Sequence, residues 1–468
     1  MNLRSESDSL FNALRQSAKP EPASAIEKLI QGGPDRELRR INALAFAARH
    51  QLNEEDVIAA FLHGARIGIF DMSWNILCPA CGGVLDSGAT LKTVNQAEYR
   101  CVLCADEYEP TLDEIVEVTF TISPRVRRIA AHDPGSLSFI EYYRQIFWSS
   151  GVDLPDDEAL AKWFKETTLD AVELSAGGKV VLSLELPEGY VIIFDPVLHM
   201  SQHIEVKGEP ASENQSLSFV MTRDHAPDAP VQMQPGPLKL TLENRTNQRT
   251  FPGVWVVSEK VHDLVNKRRP FLTAKRLLTN QTFRDIFRTD ALDVDQRLKI
   301  TSLTFLFTDL KGSTELYERV GDLVAYDLVR AHFRVLNEIV AAENGAVVKT
   351  IGDAVMATFP TPDRAMAAAL KMREALKDLK GDLLLKIGIH EGPCLAVSLN
   401  DRQDYFGRTV NIAARVQGLA TSRSIFATRR VVTDSKASKL LESNGIAATP
   451  EKRSLRGIAN QFEIFEIP

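Results

Sequence analysis

Three regimes of apolar and polar spacing divide the chain. From residue 1 to about 70 the apolar positions recur at helical intervals, as in residues 24–30 and 36–45. Asn53 and Asp56 ahead of the apolar run 57–62 predict a helix N-cap region, Gly68 its end, and residues 74–77 a first strand. A small winged-helix-like unit fits this pattern, and so does a generic helical bundle. Residues 115–260 turn β-rich. Residues 116–122 and 180–186 alternate at period two, and 238–244 do so in part. Gly177-Gly178, Pro187-Glu188-Gly189 and Pro235-Gly236-Pro237 supply the turns. An aromatic-rich stretch, 139–148, predicts a helical insert. The economical solution for such strands is a β-sandwich or half-barrel, which can host a ligand or carry protein contacts. Residues 271–278 and 283–287 return to helical spacing as a connector, and a charged stretch, 290–297, leads onward.

The last third has a pattern of its own. An apolar strand, 303–308, delivers Asp309 to its carboxyl end, and Gly312, Ser313 and Thr314 then open a helix with unpaired backbone N–H groups. Gly352-Asp353 reads as the tight turn of a hairpin between 347–351 and 354–359. If these strands are neighbours, Asp309 and Asp353 meet at one rim. Two carboxylates beside a row of N–H donors can hold divalent metals and a polyphosphate together. An Ala-rich helix from Asp363 to Leu379 follows, then a strand over 383–390, Glu391-Gly392-Pro393, and a further strand in which Cys394 packs as a small apolar residue. A helix begins at about Gly407. Asn411 and Arg415 share one of its faces, and Ile412, Val416 and Leu419 form a second, apolar one. The chain closes on a hairpin with Leu455-Arg456-Gly457 and an apolar run at 462–467.

Cysteine usage adds one more site. Cys78-Pro79-Ala80-Cys81 and Cys101-Val102-Leu103-Cys104 stand 19 residues apart. Two CxxC knuckles at this spacing read as a zinc ribbon, whose four thiolates close a tetrahedral shell and leave no open position for chemistry. Gly82-Gly83 fits the sharp reversal a knuckle needs. A redox dithiol pair and four unrelated thiols are the alternatives. Acidic flanks (Asp86, Asp106, Glu107, Glu109) favour a structural clamp over a nucleic-acid contact. His199 and His203 are spaced like a metal pair, but no third ligand stands near, and a solvated or core pair is the plainer reading.

The 468 residues have an ordinary globular composition and suffice for two to four domains. A net charge of −7 argues against a broad nucleic-acid surface. No apolar run approaches the ~18 residues of a membrane span, and the N-terminus carries no apolar signal segment, so a cytoplasmic location is expected.

Residues 299–468 resemble the catalytic domain of class III nucleotidyl cyclases, the adenylyl and guanylyl cyclases, through several motifs in the right order. The region in front resembles an uncharacterised module that precedes bacterial cyclase domains, which by position would be regulatory. Residue patterns and the resemblance together predict a multidomain chain: helical residues 1–76, a zinc ribbon at 77–106, a β-rich regulatory or sensor domain at 107–268, a helical transducer at 269–298, and an α+β, ferredoxin-like (palm-type) catalytic domain at 299–468, the last two from the resemblance. It implies conversion of ATP to 3′,5′-cyclic AMP and pyrophosphate. Asp309, Asp353 and the Leu310 carbonyl would hold two Mg²⁺ or Mn²⁺ ions, beside the structural Zn²⁺ of the four cysteines. Gly312, Ser313 and Thr314 would cradle phosphate. Lys349 and Asp404 would read adenine, where guanylyl cyclases place Glu and a small residue. Asn411 and Arg415 would orient the ribose and stabilise charge on the α-phosphate. Arg456 stands where the family has a phosphate-binding lysine, which keeps the charge and leaves the tail-phosphate geometry in doubt. The family's site is shared between two protomers, so a homodimer is expected, together with a regulatory ligand or protein of unknown kind. Guanylate cyclase activity and a non-catalytic nucleotide-binding signalling module are the alternatives.

Overall fold

The computed structural model describes residues 3–94, 98–223, 229–287, 292, 296–376, 384–399, 402–420, 424–458 and 461–468. The chain forms two compact units: residues 1–89, 93–110 and 115–272, and residues 90–92, 111–114 and 273–468. No helix among the described residues is long and apolar enough to cross a membrane.

The first unit opens with helices. Asn53 caps the helix Glu54–Arg66 by accepting from the N–H groups of Glu55 and Asp56, and Gly68 follows its end with φ 85°. The strand Phe70–Leu77 pairs antiparallel with Val84–Gly88 on one side and Val116–Ile122 on the other. Val116–Ile122 is buried along its whole length, so its period-two pattern does not separate core from solvent. Its polar positions are instead bonded inside: Glu117 to Asn75 and Ser150, Thr119 to Asn75, and Thr121 to the residues at 39–40. Two further sheets follow. One has five strands, built around Gly189–Asp195, Met200–Val206 and Gly253–Val256; the other has three, Gln215–Met221, Gly236–Asn244 and Lys179–Leu186. Their apolar faces share one core, with Leu182, Leu184 and Leu240 against Val191, Ile193 and Ile204. The aromatic insert folds as a short helix, Phe139–Tyr142, continued by a π-helical turn, Tyr143–Phe147.

The second unit is an eight-stranded mixed sheet with helices packed on it. Its central strand, Leu298–Lys311, lies antiparallel between Ala354–Phe359 and Leu384–Leu399. The connector helices Ala274–Leu278 and Gln281–Ile286 belong to this unit, as do residues 111–114. Thr111 bridges Lys299, and the Asp113 carboxylate accepts from the Thr301 and Ser302 N–H groups. Leu384–Leu399 runs as one strand through Glu391-Gly392-Pro393, where two strands were expected. Pro393 falls at the irregularity between Ile300 and Leu303 in the facing ladder, where its missing N–H costs no regular pair. The Ala-rich helix spans Pro362–Ala375; its expected end at Leu379 and the expected strand start at Leu383 lie outside the described residues.

Candidate active site and four-cysteine cluster

Pairing of Thr308 with Val355 brings the next residue, Asp309, to the end of the ladder beside the turn that carries Asp353. That turn is a two-residue loop between the partners Ile351 and Ala354, and Gly352 takes φ 63°, as such hairpin loops require. The two acids therefore share one rim. Asp309 is ion-paired with Lys386 Nζ at 3.6 Å, the residue directly opposite it on the neighbouring strand. Asp353 is half-buried, and its Oδ2 is buried with no hydrogen-bond partner among the described residues. A buried carboxylate oxygen without a partner is costly. Hard oxygen donors of this kind suit Mg²⁺ or Mn²⁺, so the residues present fit a divalent ion. Buried His332 borders the same acid: burial pushes its imidazole down to about 4, and the Asp353 charge opposes that shift. Leu310 is buried in the ladder. Gly312, at φ 80°, caps the helix Ser313–Val320, so the N–H groups of its first turn have no intrahelical acceptor.

Lys349 Nζ donates to Asp404 Oδ2 within the single chain. Asp404 is only 6% exposed, and its other oxygen accepts from the Tyr405 N–H at 2.8 Å. Gly407 caps the helix Arg408–Gly418, whose apolar face, Ile412 and Val416, packs against Phe426 and Ile464. Its other face presents exposed Asn411 and half-buried Arg415 to a cavity of about 520 Å³. Gly457 lines the same cavity, and exposed Arg456 adjoins it. Neither Asp309 nor Asp353 is among the residues lining it.

In the first unit the four cysteine sulfurs lie within 4.8 Å of one another. Cys78 and Cys104 are 3.7 Å apart, and Cys81 and Cys101 3.8 Å. Four thiolates about 2.3 Å from a tetrahedral zinc are separated by about 3.8 Å, so the cluster fits Zn²⁺ with no position left open. The Cys81 N–H points at Cys78 Sγ and the Gly83 N–H at Cys81 Sγ, each at 3.4 Å, which orients the sulfurs. A Cβ on Gly82 would fall 1.8 Å from Arg268 Nη1. That guanidinium donates to the Ala80 carbonyl at 2.7 Å and sets a positive charge beside the cluster.

Lys386, His332 and Arg268 were not singled out in the sequence. Lys386 becomes visible only through strand register, and the other two only through packing. His203 is no metal ligand: its Nε2 lies 2.9 Å from the Val102 carbonyl and so braces the second knuckle. His199 is half-buried, its ring against those of Phe147 and Phe194.

Comparison with known proteins assigns both regions. The family of unknown function DUF5939 matches residues 4–285. The adenylate and guanylate cyclase catalytic domain matches residues 296–456. The chain belongs to the DUF5939 family and carries a cyclase catalytic domain behind it. It is 28% identical over 219 residues to an adenylate cyclase of Mycosarcoma maydis, covering 41% of this chain and 8% of that protein. It is 33% identical over 132 residues to adenylate cyclase 2 of Rhizobium meliloti, covering 25% of this chain and 36% of that one. The chain thus spans well under half the length of these relatives. Among solved structures, the adenylyl cyclase CyaB of P. aeruginosa matches with a TM-score of 0.33 and 21% identity, over 37% of this chain and 96% of that one.

Proposed function

We propose that the protein is an adenylate cyclase that converts ATP to 3′,5′-cyclic AMP and pyrophosphate, with the DUF5939 region regulating it. In the reaction the ribose 3′-oxygen bonds to the α-phosphorus. The bond from that phosphorus to the bridging oxygen of the β-phosphate breaks, pyrophosphate leaves, and the hydroxyl proton passes to solvent. The observation that carries this reading is the orphaned Asp353 Oδ2 at the rim it shares with Asp309, inside the stretch that matches the cyclase catalytic domain. Asp309, Asp353 and the Leu310 carbonyl would hold two Mg²⁺ or Mn²⁺ ions, which when bound lower the pKa of the 3′-hydroxyl and grip the triphosphate. The N–H groups of Gly312, Ser313 and Thr314 would receive phosphate oxygens. Lys349 as donor and Asp404 as acceptor match the N1 and 6-amino edge of adenine, and their mutual bond holds both in place before a base arrives. Asn411 would orient the ribose, and Arg415 would face charge developing on the α-phosphate. Arg456 would bind the phosphate tail. Because Asn411 and Arg415 line a cavity without the two acids, the complete site would form across a homodimer, each protomer supplying half. In the first unit the four cysteines would hold a structural Zn²⁺.

Purified protein incubated with Mn²⁺ should convert ATP to cyclic AMP, and Asp353→Ala should lower the rate roughly a thousandfold or more. Cyclic GMP as the sole product would move the assignment to guanylate cyclase. Nucleotide binding without either product would leave a signalling module.

A further inference from the structure

The first unit contains a cavity of about 350 Å³ whose wall carries six arginines against two carboxylates. Four of the arginines already have anionic partners. Arg36 and Arg144 both bond Asp157, Arg49 bonds Glu37 at 2.7 Å, and Arg269 lies 3.8 Å from Asp153. The other two, Arg39 and Arg40, are neighbours in sequence and line the same cavity, yet neither has a carboxylate within ion-pair distance among the described residues.

Their hydrogen bonding is equally incomplete. Arg39 uses one nitrogen, donating to Thr121 Oγ1 at 2.8 Å, and Arg40 uses one, donating to the Ile146 carbonyl at 2.6 Å. The Nε of each is buried and has no hydrogen-bond partner among the described residues. Arg40 is only 7% exposed and holds its backbone at φ 46°, which few non-glycine residues adopt. The Glu117 charge acts on Arg40, but its oxygens are taken by Ser150 Oγ and Asn75 Nδ2. Burial pushes the Glu117 acid up and so favours its neutral form, while burial and the charge of Arg39 push the Arg40 guanidinium down to about 9. At neutral pH both guanidiniums stay charged. A buried guanidinium beside a second, half-buried one, with no anion between them, is unfavourable. Guanidinium forks are matched to the paired oxygens of phosphate and carboxylate.

We propose that this cavity is a binding site for a small oxyanion, a phosphate or carboxylate group, held by Arg39 and Arg40. The reading is independent of the cyclase chemistry.

The test uses the full chain. Its four tryptophans, Trp74, Trp148, Trp163 and Trp255, all lie in the first unit, so tryptophan-monitored melting reports that unit alone. Inorganic phosphate and malonate are titrated separately, each against chloride at matched ionic strength. At least one of them should raise the melting midpoint saturably by a few degrees. Arg39→Gln removes a half-exposed side chain with a single hydrogen bond and should fold. It should raise the half-saturating concentration tenfold or more. Arg127→Gln, which removes an arginine paired with Asp35 outside the cavity wall, should leave that concentration unchanged. Saturation by phosphate alone identifies a phosphate ligand, and by malonate alone a carboxylate. No shift beyond chloride with either anion overturns the proposal, as does an undiminished response in Arg39→Gln.

Discussion

Lys386 stands across the ladder from Asp309 and pairs with it, so one acid of the candidate metal rim is already partly neutralised. A divalent ion arriving at Asp309 must compete with that ammonium. Lys386→Met keeps an unbranched side chain one atom shorter and removes the charge. It should lower the Mn²⁺ concentration needed for half-maximal rate several-fold, read from metal titrations at saturating ATP. Asp353 offers the opposite case, with a buried oxygen and no partner to displace among the described residues. Such single-residue environments were only half legible in the sequence. The meeting of Asp309 and Asp353 at one rim follows from strand ends visible in the pattern, whereas the roles expected of Lys349, Asp404, Asn411 and Arg415 come only from the resemblance to the cyclase motif. Lys386 and His332 become relevant only once strand register and helix packing bring them to the same rim. No local spacing encodes that.

The strand Leu384–Leu399 shows what an element adds. It holds His390 at 7% exposure, with Nδ1 2.8 Å from Thr428 Oγ1. Burial first, then the charges of Arg430 and Arg408, push this imidazole down to about 4. A histidine whose folded pKa is depressed contributes stability above its unfolded value near 6.5, and that stability is lost as pH falls toward 4. The contribution is roughly 3 kcal/mol. His390→Gln should therefore flatten the loss of stability between pH 7 and pH 4.5 in urea unfolding, whereas an unchanged slope would remove His390 as its source. The two CxxC knuckles make an element of another kind, gathered at four neighbouring sulfurs rather than along a ladder. Elemental analysis should find about one zinc per chain. Cys101→Ser should lose it and lower the tryptophan-monitored midpoint by roughly 10 °C. Knuckle spacing made this element legible from sequence. The merging of two expected strands into Leu384–Leu399 was not, because Gly392-Pro393 reads locally as a turn and only the facing irregularity at Ile300 and Leu303 accommodates it.

At the scale of the molecule, the chain folds as two compact units. The β-rich character of the middle third is plain in its alternation. The membership of residues 111–114 in the second unit is not, since it depends on Asp113 capping the backbone of Thr301 and Ser302 from a distance in sequence. The single chain joins Asp309 with Asp353, and Lys349 with Asp404, while Asn411 and Arg415 line a separate cavity. If two chains complete one site, Asp309→Ala and Asn411→Ala proteins, each inactive alone, should regain activity when co-expressed. Mixed dimers then retain one intact site out of two, and about a quarter of wild-type activity is expected from random pairing. No recovery in confirmed mixed dimers would place all the groups on one chain.

The most direct test of the central claim is the identity of the product. Purified full-length protein is incubated with Mn²⁺ and equal concentrations of ATP and GTP, and the cyclic nucleotides are separated by chromatography, with Asp353→Ala of wild-type circular dichroism run in parallel. Cyclic AMP as the main product, with pyrophosphate in equal amount and neither in the variant, is the predicted result. No cyclic nucleotide from the wild-type protein in its dimeric state, or an Asp353→Ala protein as active as wild type, would contradict it.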